Sequence, residues 1–442
     1  MESHDPTETR RWWNGLDPSK TNQEITLAIF NAPSDQVVGE TATGPIHGWV
    51  KAGYEPVLTA FADNFEHRGE VGASLCILKG DETLIDVFAG TSIDGEQPWQ
   101  RETMSVVHSC TKAAVSLSLL WLIDQGEVAL HREVGDYWPE YREAGKDATT
   151  IRMLLDHSAG LPALRAKLAP GSFLDWDLMV ELLAKEAPFW MPGSAHGYQM
   201  TTHGWLVGEI VRRVTGVSLG QFFNEQFAQP LGLDFWIGLP DDEHHRVTRL
   251  KGAKPVRGEA VPQFTKALLD DASSIPALAF FNTGKFRADD PASYRAEFGA
   301  GGGITNGRAL ARLFAPLAVG GSLGGTRFFS ESAIHQMSKT WVAGADQTLC
   351  MPSHFGLGLM KSMDNTYRPS GAFESCVIGQ HAFGHAGAGG SLGFADPAFG
   401  FSFGYTMNQM GPGILLNKRG QALVDAIYSV NGASRSAAGD YR

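Results

Sequence analysis

Residues 109–128 read SCTKAAVSLSLLWLIDQGEV, the stretch on which the reading of the whole chain turns. Ala113, Leu117, Leu120 and Ile123 recur at helical spacing, and apolar side chains fill most of the remaining circumference, which predicts a buried helix ended by Gly126. Ser109 and Lys112 stand three apart, so at the start of that helix their side chains share one face, close enough to hydrogen-bond. Serine is a poor nucleophile near neutral pH, but a lysine whose ammonium is desolvated gives up its proton more easily and can accept the serine's. Free backbone N–H groups at a helix N-terminus can hold a developing oxyanion beside the serine. A Ser-x-x-Lys match arises roughly once by chance in a chain this long, and serine is also a common helix start. The motif alone leaves both readings open.

Upstream, Val57, Leu58, Phe61 and Phe65 mark one face of a helix stopped by Gly69, and the runs ASLCILK and ETLIDVFAG flank Gly80-Asp81 as a β-hairpin. From about 130 to 290 the signal is mostly helical, as in Thr201 to Gly216 with Leu206, Val207, Ile210, Val211 and Val214. After 295 the stretch GAGGGITNG opens a return to helix and strand, with LGFADP and GFSFGYTMN as strands and GQALVDAIYSV as a closing helix. These elements imply an α/β (α+β) domain of residues 46–128 and 291–442, with a helical lobe, 129–290, inserted in it. Residues 1–45 carry Pro6, Pro18 and Pro33 and only a weak apolar rhythm, and read as an extension clamped by Trp12-Trp13.

The 442 residues are 43% apolar and 19% charged, enough for one large core or two fused lobes. With 36 basic against 48 acidic residues the net charge is -12, which disfavours nucleic acid and anionic membranes and favours a small-molecule substrate. No export signal or membrane span is readable. Cys76, Cys110, Cys350 and Cys376 are scattered without metal-ligand spacing, so they read as buried thiols of a cytoplasmic protein, with no metal and no cofactor expected. Oligomeric state is not legible.

Over most of its length the chain resembles the class C β-lactamase-like serine hydrolases, and within them the family VIII carboxylesterases. The resemblance runs through GEVGASLCILKG, SVVHSCTKAAVS, LLDHSAGLP, FWMPGSAHGYQMTTHGWLVGEIVRRVTG, FNEQFAQPLGLD and FGHAGAGGSLGFADP. It implies a β-lactamase/penicillin-binding-protein-like fold, an antiparallel sheet flanked by helices plus a mostly helical lobe. It implies catalysis by Ser109, Lys112 and Tyr198, with the phenol of Tyr198 relaying or accepting protons once its lysine neighbour lowers its pKa. An oxyanion hole from the N–H groups of Ser109 and Ala388 follows, and a substrate pocket of Trp190, Met200, His385, Ala386 and Gly387.

Two departures from the lactamase pattern point to esters. Met200 stands where lactamases have asparagine, and His385-Ala386 where they have lysine and threonine, so groups that would hold a lactam's amide and carboxylate are missing. The expectation is a carboxylesterase acting on short-chain acyl esters, with an amide or β-lactam hydrolase, a transacylase and a catalytically inactive binding protein as alternatives. Two Gly-x-Ser-x-Gly matches, at Ser391 and Ser322, read as turns, because the first leads into a strand and the second lies in a glycine-rich loop. Asp241 to His245 reads as a solvated charged loop and His157-Ser158 as structural.

Overall fold

The computed structural model describes residues 35–253, 261–368 and 374–442. The Trp12-Trp13 clamp lies outside these residues. Seven strands form one wholly antiparallel sheet: β1 (Gln36–Thr41), β2 (Gly44–Val50), β3 (Gly72–Lys79), β4 (Glu82–Gly90), β5 (Phe383–Ala386), β6 (Leu392–Asp396) and β7 (Phe401–Met407). Their order is β1-β2-β4-β3-β7-β6-β5. The hairpin read around Gly80-Asp81 is β3–β4, and the runs LGFADP and GFSFGYTMN are β6 and β7. Residues 36–45, read as part of an extension, instead form β1 and begin β2. The pairing of Gln36 with Gly48 and of Trp49 with Asp86 makes them the outer edge of the sheet.

The helices that position the site are α1 (Glu55–His67), α2 (Thr111–Asp124), α3 (Trp176–Lys185), α4 (His203–Thr215), α5 (Gln263–Asp270), α6 (Ile275–Phe281), α7 (Gly307–Ala318) and α8 (Lys418–Val430). Strand β3 is buried on both faces, and its alternating side chains serve different cores. Leu75 and Ile77 pack with Val57 and Phe61 of α1 and Leu423 and Ile427 of α8, whereas Cys76 and Leu78 join the core of α7 and α2. Burial of each such side chain stabilises by about 1.5–3 kcal/mol. In the 129–290 segment the described residues are helices, turns and the two-residue strand Phe235–Trp236. That strand pairs with Ile304–Thr305, which pairs in turn with Ser105–Val106, so a small sheet ties the helical lobe to the chain just ahead of Ser109.

Helix α2 is buried along nearly its whole circumference, as its composition requires. It starts at Thr111, however, and Ser109 sits ahead of it in a 3-10 turn, His108–Cys110. The cause lies in the backbone: Val107 donates its N–H to the Gly303 carbonyl at 3.0 Å, and His108 takes a left-handed φ of 43°. The four cysteines are free thiols, Cys350 only partly buried. No helix among the described residues is long and apolar enough to cross a membrane.

Helix α7 lies on the sheet at glycine contacts. A Cβ at Gly404 of β7 would stand 2.1 Å from the Gly307 carbonyl and 2.4 Å from the Ala311 nitrogen. Both are backbone atoms of a packed helix and cannot rotate away. Gly404→Ala is expected to cost about 1–3 kcal/mol through overpacking, read as a lower urea midpoint with an unchanged slope. An unaltered midpoint would mean that α7 shifts freely on the sheet.

Candidate active site

Lys112 lies in the first turn of α2 and is fully buried, with no carboxylate beside it. Its Nζ donates to the carbonyls of Met200 at 2.9 Å and Ala300 at 2.7 Å, and lies 3.3 Å from Ser109 Oγ. A neutral amine has two N–H donors and one lone pair. The two carbonyls take the two donors, and the third position faces the serine. Burial holds the lysine pKa well below its usual value, so the neutral form is favoured.

Tyr198 comes to the same point from the loop before α4. Its ring lies 4.6 Å from Lys112 Nζ and stacks on Phe355 with centroids 5.7 Å apart. The expected lowering of its pKa does not occur. Burial pushes the phenol upward, the Ser109 hydroxyl only partly opposes this, and a neutral Lys112 supplies no positive charge to reverse it. Tyr198 therefore remains a protonated phenol.

Ser109, Tyr198, Met200 and Ala388 line one cleft of about 420 Å³ between the sheet edge and the helical lobe. The Ala388 N–H finds no acceptor among the described residues. His385, Ala386 and Gly387, expected in the substrate pocket, are buried and do not line the cleft. His385 lies on β5 with its ring 6.0 Å from Tyr198, and its Nδ1–H donates to the Ala386 carbonyl at 2.7 Å. Burial pushes its pKa down to about 3, so the imidazole is neutral. A Cβ at Gly387 would meet the Val107 carbonyl at 2.2 Å, and only glycine lets the end of β5 close on the Ser109 turn. Trp190, expected in the pocket, does not line the cleft. Its indole N–H donates to the Ser158 carbonyl at 3.3 Å, and its ring covers Gly197.

Several residues of the site went unread in the sequence. Asp346 is buried and accepts hydrogen bonds from the N–H groups of Tyr198, Thr348 and Leu349 and from the Ser353 hydroxyl, at 2.8–3.0 Å. It holds the Tyr198 backbone from a segment about 150 positions away, with no local motif to announce it. Ala300 belongs to the GAGGGITNG stretch, whose glycine density was its one sequence signal. Behind Tyr198, His157 packs on both Tyr198 and Phe355, while His203 bonds Ser116 at 3.0 Å. Both imidazoles are held neutral by burial. Ser158 turns its hydroxyl to Asp156, away from His157.

Ser391 is buried and donates to the Val107 carbonyl at 3.1 Å, outside the cleft, and Ser322 lies in a short hairpin strand. Asp241 and Glu243 are paired with Arg295 and Arg246. Among the described residues no cluster of His, Cys, Asp or Glu is arranged to hold a metal.

An antiparallel sheet with a helical lobe, and a Ser-x-x-Lys turn in the cleft between them, is the architecture of β-lactamases and penicillin-binding proteins. Residues 60–426 match the family model described as Beta-lactamase, and the chain belongs to that family. It is similar to a crystal structure of a family VIII carboxylesterase, at 34% identity and a TM-score of 0.74, over 87% of this chain and 99% of that one. A penicillin-binding protein homologue from Caulobacter crescentus is similar to the same extent, at 34% identity and a TM-score of 0.76, over 87% and 99%. The esterase/beta-lactamase LipL of Mycobacterium tuberculosis is 29% identical over 380 residues, 84% of this chain and 85% of that protein. The chain is thus a β-lactamase-family hydrolase with esterase relatives.

Asp346→Ala would strand three buried backbone N–H groups, at about 1–3 kcal/mol each. A loss of at least about 3 kcal/mol in chemical unfolding is expected. A loss below about 1 kcal/mol would mean that water replaces the carboxylate and that Asp346 does not anchor the Tyr198 loop.

Proposed function

We propose that the protein is a carboxylesterase that hydrolyses acyl esters through an acyl-enzyme on Ser109. The observation that carries this reading is the buried Lys112 amine 3.3 Å from Ser109 Oγ, its two N–H groups engaged by carbonyls. Neutral Lys112 takes the Ser109 proton as Oγ attacks the ester carbonyl, and the oxyanion is held by the N–H groups of Ser109 and Ala388. The intermediate collapses to the acyl-enzyme. The Lys112 ammonium returns its proton to the departing alkoxide, with the protonated Tyr198 phenol as hydrogen-bond donor beside it. Water then attacks the acyl carbon, gives a proton to Lys112, and displaces Ser109 Oγ, which recovers that proton.

The ester preference is supported by what stands near the nucleophile. His385 is neutral and its Nδ1–H is committed to Ala386, so it offers no cation to a lactam carboxylate. Met200 presents a thioether to the cleft where a side-chain amide would hold a lactam. The chain's similarity to a penicillin-binding protein homologue keeps lactam or amide hydrolysis as the second reading, for which a chromogenic cephalosporin is the direct probe.

Short-chain aryl esters are the first substrates to test. Ser109→Ala is expected to lose the covalent adduct of a fluorophosphonate, seen by intact mass, and at least about a thousandfold in kcat/KM. Full ester turnover by that variant would sink the assignment. A second expectation concerns pH. The lysine must be neutral to act, and its pKa is lowered, so kcat/KM should rise with pH and level off well below pH 10.5. Activity falls as pH drops through that lowered pKa. A profile that rises only near pH 10.5 would mean that burial does not hold Lys112 as the neutral amine.

A further inference from the structure

The cleft is far more apolar than the attacking chemistry requires. Beside Ser109 its wall is built by Phe173, Phe286 and Phe298, whose ring centroids lie 4.9–5.5 Å from one another. Met200, Met410 and Ile414 add to the lining. One oxygen of the Asp289 carboxylate accepts from Arg249 and from the Leu250 N–H, both at 3.1 Å, while the other is buried with no hydrogen-bond partner among the described residues. Arg287 is exposed.

The apolar lining continues out of the cleft. Phe280, the penultimate residue of α6, lines the cleft and is 44% exposed, so it stands at the mouth. Its ring meets Phe281 at 5.1 Å and Phe264 of α5 at 5.9 Å. Phe281 is 59% exposed and Leu269 of α5 is 76% exposed. Of nine exposed large apolar side chains among the described residues, three belong to this hairpin, two of them the adjacent Phe280 and Phe281. Helix α6, IPALAFF, carries no charge at all.

We infer that the α5–α6 hairpin is an apolar lip for the substrate, and that the preferred esters carry a long alkyl chain running from Ser109 past Phe286 and Phe280 onto Phe281. The inference rests on the esterase reading for the chemistry, but the lip is a binding feature of its own. It also shifts the expected substrate from short chains to medium and long ones. A chain leaving the reacting ester passes an aromatic trough and then an otherwise water-exposed apolar face, and each methylene laid there gains part of the transfer free energy of a CH2, about two- to fourfold in kcat/KM. The shared chemistry is an n-alkyl chain, and its source, the acyl or the alcohol arm of the ester, is separated by the test.

Two ester series are to be measured on the native chain and on a Phe281→Ser variant. One is p-nitrophenyl esters from acetyl to dodecanoyl; the other is acetate esters of ethanol to dodecanol. The expected result is a rise in kcat/KM with chain length in one series, with the decanoyl-to-acetyl or decyl-to-ethyl ratio falling at least fivefold in the variant. The substitution is at an exposed position, and circular dichroism checks that the variant is folded. A ratio that is flat with chain length in both series, or unchanged in the variant, overturns the lip. Decanol and butanol binding to Ser109→Ala, measured by calorimetry, needs no turnover. Tighter decanol binding, lost with Phe281→Ser, supports the lip even if no ester is hydrolysed and the esterase reading fails. Equal binding of the two alcohols overturns it.

Discussion

A lysine with no counter-ion in the interior is the constraint around which the rest of this structure is arranged. An ammonium buried without a carboxylate is unstable, so the folded state favours the amine, and the amine needs acceptors for its two N–H groups. Met200 and Ala300 supply them from segments 88 and 188 positions along the chain. The loop before α4, the glycine-rich strip after 295 and the start of α2 must therefore meet at one point. The consequence is a serine hydroxyl facing an unoccupied lone pair.

The surroundings keep that point free of charge. His157, His203 and His385 all lie near Lys112, and burial holds each below the usual imidazole pKa. Charged neighbours would alter this balance: a carboxylate would draw the proton back onto Lys112, and an imidazolium would repel it less usefully than neutral packing excludes it. Tyr198 is held in the same spirit. Asp346 grips its backbone while Phe355 and His157 pack its ring, so the phenol is placed without any ionic partner of its own.

Close backbone contacts make this geometry firm. Gly404 allows α7 to sit on β7, and Gly387 allows the end of β5 to close against Val107 beside the Ser109 turn. The sheet edge and the helical lobe become two rigid walls. The opposite end of the cleft, where α6 leaves Phe281 in water, is the part least committed to packing.

Much of this was legible along the chain. Periodicity revealed the β3–β4 hairpin, the buried α2 and the closing α8, because each buries its own pattern of side chains locally. Spacing brought Ser109 and Lys112 together, because three residues along a helical start set that contact without help from elsewhere. Tyr198 and Ala388 needed the resemblance of the flanking motifs, since neither carries a local physical signal. The sheet-edge role of residues 36–45 escaped notice because an edge strand with one partner needs little apolar alternation. Trp190 was misplaced because a motif says which residues are near in sequence, not which way an indole turns. The protonated state of Tyr198, the neutral lysine and the grip of Asp346 came only with tertiary structure. Each depends on desolvation and on partners some 90 to 190 positions distant, and none of the three is written in any short stretch of sequence.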